Sequence, residues 1–493
     1  MTQEPLILAI DQGTSSSRAV VFDRQLHPLH SAQEVVPLLY PRPGWVQQDA
    51  NELWRITLDV TRQAMAGFES RIQGIGITNQ RETTILWDRV TGEPVANAIN
   101  WQSRETASLV EDIDRRGLAG RYQQITGLVP DAYFSATKIA SILRSDPAIR
   151  KRAEAGDLAF GTVDSWLIWR LSGGRAHVTD YSNAARTMLF DIRKLEWCQA
   201  LLDDLDIPRP LLPDVKGNAE LLAETDPDVL GVSLPITGVA GDQQSALFGQ
   251  TCFAPGEAKN TYGTGSFLLM QTGPEAKSSS HKLLTTIAWG IDGVVDYALE
   301  GAIFVTGAAV QWLRDGLGII RQASEVEALA ASVADSDGVV FVPALAGLGA
   351  PYWDAGARGM ITGITRGTTA AHIARATLEA ICFQSRDSLD AMQADSGIRL
   401  EELRVDGGAS ANDLLMQMQA DVLGVPVVRP ANVESTVAGA ASLAGLALGW
   451  WESREELKAD RTIDRRFEPQ TGEAEREERY ALWKDAVSRV LTK

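Results

Sequence analysis

Two carboxylates, Asp11 and Asp242, stand where they could do chemistry. Each ends an apolar run: Leu6-Ile7-Leu8-Ala9-Ile10 leads into Asp11-Gln12-Gly13-Thr14, and Ile236, Val239 and Ala240 lead into Gly241-Asp242-Gln243-Gln244. In parallel α/β sheets the carboxyl ends of strands face the crevice where ligands sit, so an acid there can meet a substrate while buried backbone holds it still. An aspartate closing a strand also serves simply as a turn residue. The repetition argues for more: two strand-end acids, one per half, point to two related domains facing one cleft.

Phosphate chemistry is written into the residues after Asp11. In Asp11–Arg18, Gly13 lets backbone approach a ligand, the amides and four hydroxyls can donate to phosphate oxygens, and Arg18 can neutralise them. The same residues would also make an ordinary polar hairpin turn. No G-x-x-x-x-G-K-[ST] stretch occurs, so a P-loop is not the source of nucleotide binding. Gly263-Thr264-Gly265, between two β-like runs, resembles the first loop in kind. At Gly307 and again at Gly407-Gly408, glycines mark a strand-to-helix corner where a flat base or ribose can lie against backbone.

A second kind of chemistry lies in Arg81-Glu82, a donor beside an acceptor between two strand-like runs. A polyol hydroxyl needs both, since it donates one hydrogen bond and accepts others. Trp101 in Asn100-Trp101-Gln102 and Tyr133 in Asp131–Lys138 add aromatic faces for the C–H edge of a small polyol.

The elements that must position these groups follow from periodicity. Leu6–Asp23 reads as a β-hairpin, and Asn51–Gly67 as a helix with Leu53, Trp54, Leu58 and Met65 on one face ahead of an apolar run at Ile72–Ile77. Lys138 opens an amphipathic helix through Leu143, and Gly161–Leu171 is another apolar run; neither is assigned chemistry. Glu300–Trp312 reads as a strand entering a helix, and Leu403–Asn412 does the same before a helix at Asp413–Leu423. Ser435–Trp451, uncharged and rich in Ala and Gly, reads as a buried helix rather than a membrane span of about 20 residues. The charged stretch Trp451–Lys493 ends in an amphipathic helix.

At 493 residues two large domains are expected. The formal charge of −18 argues against a nucleic-acid or anionic-membrane surface. Three widely spaced cysteines fit reduced thiols, and the first five residues lack a basic region, so a cytoplasmic protein is expected.

Together, Asp11-Gln12-Gly13-Thr14, Gly76–Thr84, Gly241-Asp242-Gln243-Gln244, Tyr262-Gly263-Thr264-Gly265, Gly347–Trp353 and Val405-Asp406-Gly407-Gly408 resemble the FGGY carbohydrate-kinase family over nearly the whole chain. The resemblance implies an α/β fold of two ribonuclease-H-like, actin-like ATPase domains with an interdomain cleft. An N-terminal domain at 1–249 would carry the polyol and phosphate side, a C-terminal domain at 250–450 the nucleotide side, and a helical segment at 451–493 would pack on them. It implies ATP-dependent phosphorylation of glycerol to sn-glycerol 3-phosphate, with Arg81, Glu82, Trp101, Tyr133, Asp242, Gln243 and Phe267 at the polyol and Asp242 as base. Thr14, Ser15, Ser16, Arg18 and Thr264 would meet phosphates, Gly307, Gln311, Gly408 and Asn412 the nucleoside, and Asp11 hydrated Mg2+. A homo-oligomer, dimer or tetramer, is implied too. A kinase of another small polyol or ketose, and an actin-like or chaperone ATPase, are the competing readings.

Overall fold

A computed structural model describes residues 4–492. The apolar runs Leu6–Ile10 and Ala19–Phe22 are buried on both faces, as the inner strands of a covered sheet must be. They form β1 (Leu6–Gln12) and β2 (Ser16–Phe22), an antiparallel hairpin that β3 (Pro28–Val35) continues. Helix α1 (Ala50–Met65) starts at Asp49, whose side chain accepts from the amides of Asn51 and Glu52, and it buries Leu53, Trp54, Val60 and Ala64 against β2 and β3. The chain then enters β4 (Ile72–Asn79), parallel to β1. A long excursion follows, including α2 (Ser135–Ser145) and a helical turn at Tyr181–Ala184. It returns through β5 (Ala219–Glu224) and β6 (Pro235–Gly241), giving the order β5-β6-β4-β1-β2-β3, and leaves by α3 (Asp242–Gly249).

The second half repeats the design. A hairpin of β7 (Glu257–Tyr262) and β8 (Ser266–Gly273) is followed by β9 (Leu284–Ile291) and β10 (Val294–Ile303). Helices α4 (Gly307–Asp315) and α5 (Ala370–Ser396) lead to β11 (Glu402–Asp406), parallel to β7. Then come α6 (Asp413–Leu423), β12 (Val427–Pro430), α7 (Ser435–Ala447), β13 (Ile463–Phe467) and α8 (Glu473–Ser488). The sheet order is β9-β10-β8-β7-β11-β12-β13. Without the edge strands β5, β9 and β13, the orders β3-β2-β1-β4-β6 and β10-β8-β7-β11-β12 match strand for strand, so one unit is used twice.

Three expectations change on this framework. Asp11 and Asp242 do not divide between the halves, because β1 and β6 belong to the same sheet with β4 between them. Residues 435–447, inside the stretch expected for the second domain, form a helix that packs on β6, β4 and β1 of the first sheet and crosses α3. Glycines on both sides allow the close approach: a Cβ on Gly76 of β4 would lie 2.2 Å from the carbonyl of Ala440, and one on Gly439 of this helix would lie 1.9 Å from that of Ser245 on α3. The stretch 451–493 is not helical throughout, since β13 pairs with β12 and widens the second sheet before α8 begins. Tyr480 and Trp483 then tie α8 to that half by donating to the Asp387 carboxylate at 2.6 and 2.8 Å.

The α3/α7 crossing generates a stability prediction. Gly439→Ala should cost about 1–3 kcal/mol by overpacking, read as a lower urea midpoint by tryptophan fluorescence. An unchanged midpoint would contradict backbone-to-backbone contact at that crossing.

Candidate active site

At the carboxyl ends of β4 and β6, a buried cluster of charges forms the floor of the cleft. Arg81, 2% exposed, makes a bidentate pair with Glu300 of β10, at 2.6 and 2.9 Å. Its Nε lies 3.3 Å from Asp242, and Nη1 donates to Oε1 of Gln244 at 3.2 Å. Arg186 is the second guanidinium, donating to Glu82 at 2.7 Å and to Glu300 at 2.9 Å beneath the rings of Tyr133 and Phe134. Burial alone would raise the Glu300 carboxyl, but Arg186 and Arg81 outweigh it and hold it at about 2. Burial raises the Glu82 carboxyl above its ordinary range, with Arg81 and Arg186 opposing. Asp242 differs from both in access: its side chain is 31% exposed, so a ligand can reach a carboxylate that Arg81 and the amide of Gln243, at 2.7 Å, hold in place.

Local structure explains how these groups are aimed. Glu82 has φ +54°, a left-handed conformation that is uncommon for a side chain with a Cβ. Lys138 on α2, fully buried, stabilises that turn by donating to the carbonyls of Glu82 at 2.9 Å and Tyr133 at 2.7 Å, and the Ser135 hydroxyl also donates to the Glu82 carbonyl. Below the strand ends, Asn79 and Asn183 exchange amide bonds at 3.0 and 3.1 Å. The hydroxyl of Ser182 accepts from the amide of Gly241 at 2.9 Å, one residue before Asp242. Asp180 gathers Ser182, Asn183 and Asn218 around its carboxylate, so one buried acid connects the ends of both strands.

The aromatic residues form one wall. Trp101 meets Tyr133 edge-on at 5.5 Å and Phe267 at 6.4 Å. Its indole N–H donates to the hydroxyl of Thr14 at 2.7 Å, which joins this wall to the β1–β2 turn. Beneath it Gln12, Gln48, Gln80, Asn100 and Thr83 share a buried amide network, with Gln80 donating to both Gln12 and Gln48 at 3.0 Å. All seven residues expected at a polyol therefore come together: Arg81, Glu82, Trp101, Tyr133, Asp242, Gln243 and, from the second sheet, Phe267.

The phosphate-loop residues are arranged less simply. The β1–β2 turn closes through Gly13 N–H to the carbonyl of Ser16 at 2.9 Å, leaving Thr14, Ser15 and Ser16 at least partly exposed. Ser17 is withdrawn, because its position in β2 points inward and its hydroxyl bonds Thr57 at 2.9 Å. Three hydroxyls rather than four are thus presented. Arg18 pairs with Glu434 at 2.6 Å. In the second sheet, Gly263-Thr264-Gly265 is the matching turn, and the amides of Thr306 and Ala308 reach the Thr264 carbonyl while that of Gly307 reaches Gly263, each at 3.0 Å. Gly307 and exposed Gln311 lie on α4, and Asn412 caps α6 by accepting from Leu415 at 2.8 Å. Gly407 takes φ +82° with its α-carbon against Tyr262, whereas a Cβ on Gly408 would meet open space.

Asp11 is half-buried at the end of β1. Burial, then the charges of Asp242 and Glu434, push its carboxyl up to about 7, with Arg18 opposing. No group of three or more metal-ligating side chains occurs among the described residues. A hydrated cation bound largely through water and phosphate oxygens fits this arrangement, because such an ion needs one or two carboxylates rather than a protein cage.

From the sequence, no role was assigned to Glu300, Arg186, Lys138 or Asp180. Two models match the chain, the N-terminal domain of the FGGY family of carbohydrate kinases over residues 6–249 and its C-terminal domain over residues 258–448. The chain belongs to this family and has its two-domain actin-like fold. Among curated relatives, glycerol kinase of Carboxydothermus hydrogenoformans is 55% identical, and glycerol kinase 2 of Thermotoga maritima 56%, each over 98% of both chains. Among solved structures, Plasmodium falciparum glycerol kinase with ADP superposes with a TM-score of 0.95 at 35% identity, over 99% of both chains. Gluconate kinase of Lactobacillus acidophilus, 23% identical with a TM-score of 0.90 over 100% of this chain and 99% of that one, shares the fold.

The turn at Glu82 yields a pH-dependent test. Burial pushes the Lys138 ammonium down from 10.5 to about 7, with Glu82, Asp131 and Glu105 opposing. Between those values the unfolded chain holds a proton that the folded chain has released, so this group makes stability rise with pH. The melting-temperature gap between the natural protein and Lys138→Met should widen in favour of the former from pH 7 to 10. A gap that is constant or narrows would contradict a neutral, buried Lys138.

Proposed function

We propose that the protein transfers the γ-phosphoryl group of ATP to a terminal hydroxyl of glycerol, giving sn-glycerol 3-phosphate and ADP. One observation carries the reading: a compact set of donors and acceptors, Arg81, Glu82, Asp242 and Gln243, walled by Trp101, Tyr133 and Phe267, is joined to a hydroxyl-rich turn through the Trp101–Thr14 bond. A small polyol needs hydrogen bonds of both senses along one edge and an apolar surface for its C–H groups. The names of the relatives at 55–56% identity favour glycerol over gluconate.

In this reading Asp242 accepts the proton of the attacking hydroxyl as its oxygen bonds to phosphorus and the bond to ADP breaks, the leaving oxygen keeping the electron pair. Arg81 keeps Asp242 in line, and Glu82 and Gln243 orient the remaining hydroxyls. Thr14, Ser15, Ser16, Arg18 and Thr264 donate to phosphate oxygens, while Gly307, Gln311, Gly408 and Asn412 line the nucleoside. Arg18 would exchange Glu434 for a phosphate. Asp11 would hold hydrated Mg2+, which neutralises charge on the phosphates when bound. The same reading includes a homo-oligomer, dimer or tetramer, and a cytoplasmic location. No helix among the described residues is long and apolar enough to cross a membrane.

ADP release measured across a panel of polyols and ketoses tests the substrate. Glycerol should be turned over fastest; rapid turnover of a pentulose with none of glycerol would overturn the assignment. Asp242→Asn keeps shape but loses the proton acceptor, so kcat should fall about 10²–10⁴-fold with ATP affinity retained. A fall below about tenfold in folded protein would leave Asp242 no role as base.

A further inference from the structure

Lys259 is a fully buried cation at the cleft that the mechanism above does not use. It lies on β7 of the second sheet and reaches across to α3, where its ammonium donates to Oε1 of Gln243; a second N–H goes to the hydroxyl of Thr261 at 2.8 Å. Burial lowers this ammonium to about 8, with Asp406, Asp242 and Glu300 opposing and Arg81 adding to the fall, so at neutral pH it is largely charged. A charged lysine has three N–H groups and no lone pair. Facing it, a glutamine amide can offer only its oxygen. The amide NH2 of Gln243 is then turned the other way, away from Lys259.

We propose that Lys259 is a positioning residue that fixes the hydrogen-bonding sense of Gln243, making its side chain a donor to the polyol. This rests on the reading that Gln243 touches the polyol. The consequence is a division of labour in the pocket: Arg81 and Gln243 donate, whereas Glu82 and Asp242 accept. An unfixed glutamine could present either end of its amide, and a hydroxyl oriented to give its proton to Asp242 would then meet the wrong partner in part of the population. Because Lys259 stands on the second sheet and Gln243 on the helix leaving the first, the pocket acquires this polarity only when both halves are in place.

The test is a double-mutant cycle read in glycerol KM, kcat and ATP KM. Lys259→Met keeps the apolar stem and removes every donor. It should raise glycerol KM by about tenfold while kcat changes less than about threefold and ATP KM is unchanged. Gln243→Ala should raise glycerol KM comparably, and the double variant should be within about twofold of Gln243→Ala alone, since Lys259 acts through it. Multiplicative effects near a hundredfold would overturn the proposal. Lys259→Arg, which like lysine carries donors and no acceptor, should recover part of the loss. Equal damage from Arg and Met would overturn the proposal, and this variant also serves if Lys259→Met does not fold. If Gln243→Ala leaves glycerol KM unchanged, the polyol contact itself is wrong and the proposal falls with it. A lowered melting temperature with normal glycerol KM in the Lys259 variants would show a structural role only.

Discussion

The bidentate pair between Arg81 and Glu300 is the constraint on which the site depends. It joins residues 219 apart in the chain, one at the end of a first-sheet strand and the other within a second-sheet strand. Buried ion pairs gain little net stability, because desolvating two charges offsets much of their attraction. Losing one partner is costly, since the survivor remains buried without compensation. The cluster therefore acts mainly by permitting one arrangement. With Glu300 claimed by two guanidiniums, Arg81 can lean only its Nε on Asp242, and Arg186 fixes one oxygen of Glu82.

A second constraint supports the first. The halves are joined where α3 and α7 cross over the first sheet, and glycines at Gly76 and Gly439 let backbone rest on backbone there. Close packing without side chains leaves little freedom to slide, so the ends of β4 and β6 hold a defined position against β10. The buried acid Asp180 extends that order into the cleft by bonding the groups that touch Asn79 and Gly241. Asp242 and the hydroxyl turn are left open to solvent on this base, which is where chemistry needs access.

What could be read from the sequence followed from locality. The hairpin at Leu6–Phe22, the strand-to-helix corners at Gly307 and Gly407-Gly408 and the pairing of Arg81 with Glu82 all lie within a few residues, where periodicity and turn chemistry speak directly. Ser17 was within reach too, because strand alternation that exposes Ser16 and Arg18 must bury the residue between them. Glu300 and Arg186 were not, since an acid or base carries no mark of a partner 104 or more residues away. Helix α7 shows the same limit: an uncharged Ala/Gly-rich surface declares burial but not against which sheet. The acids Asp11 and Asp242 read as one per half because each ends a similar apolar run; the true internal repeat pairs the β1–β2 turn with Tyr262–Ser266.

Glycerol binding to Glu300→Gln, followed by calorimetry in protein shown to be folded, tests this account most directly. Removing that one charge leaves Arg81 and Arg186 competing for Glu82 and Asp242, the groups assigned to the polyol. Glycerol affinity should fall at least about tenfold while ATP affinity is preserved. Unchanged glycerol affinity would contradict it, because the pocket would then stand without the ion pair that is held to organise it.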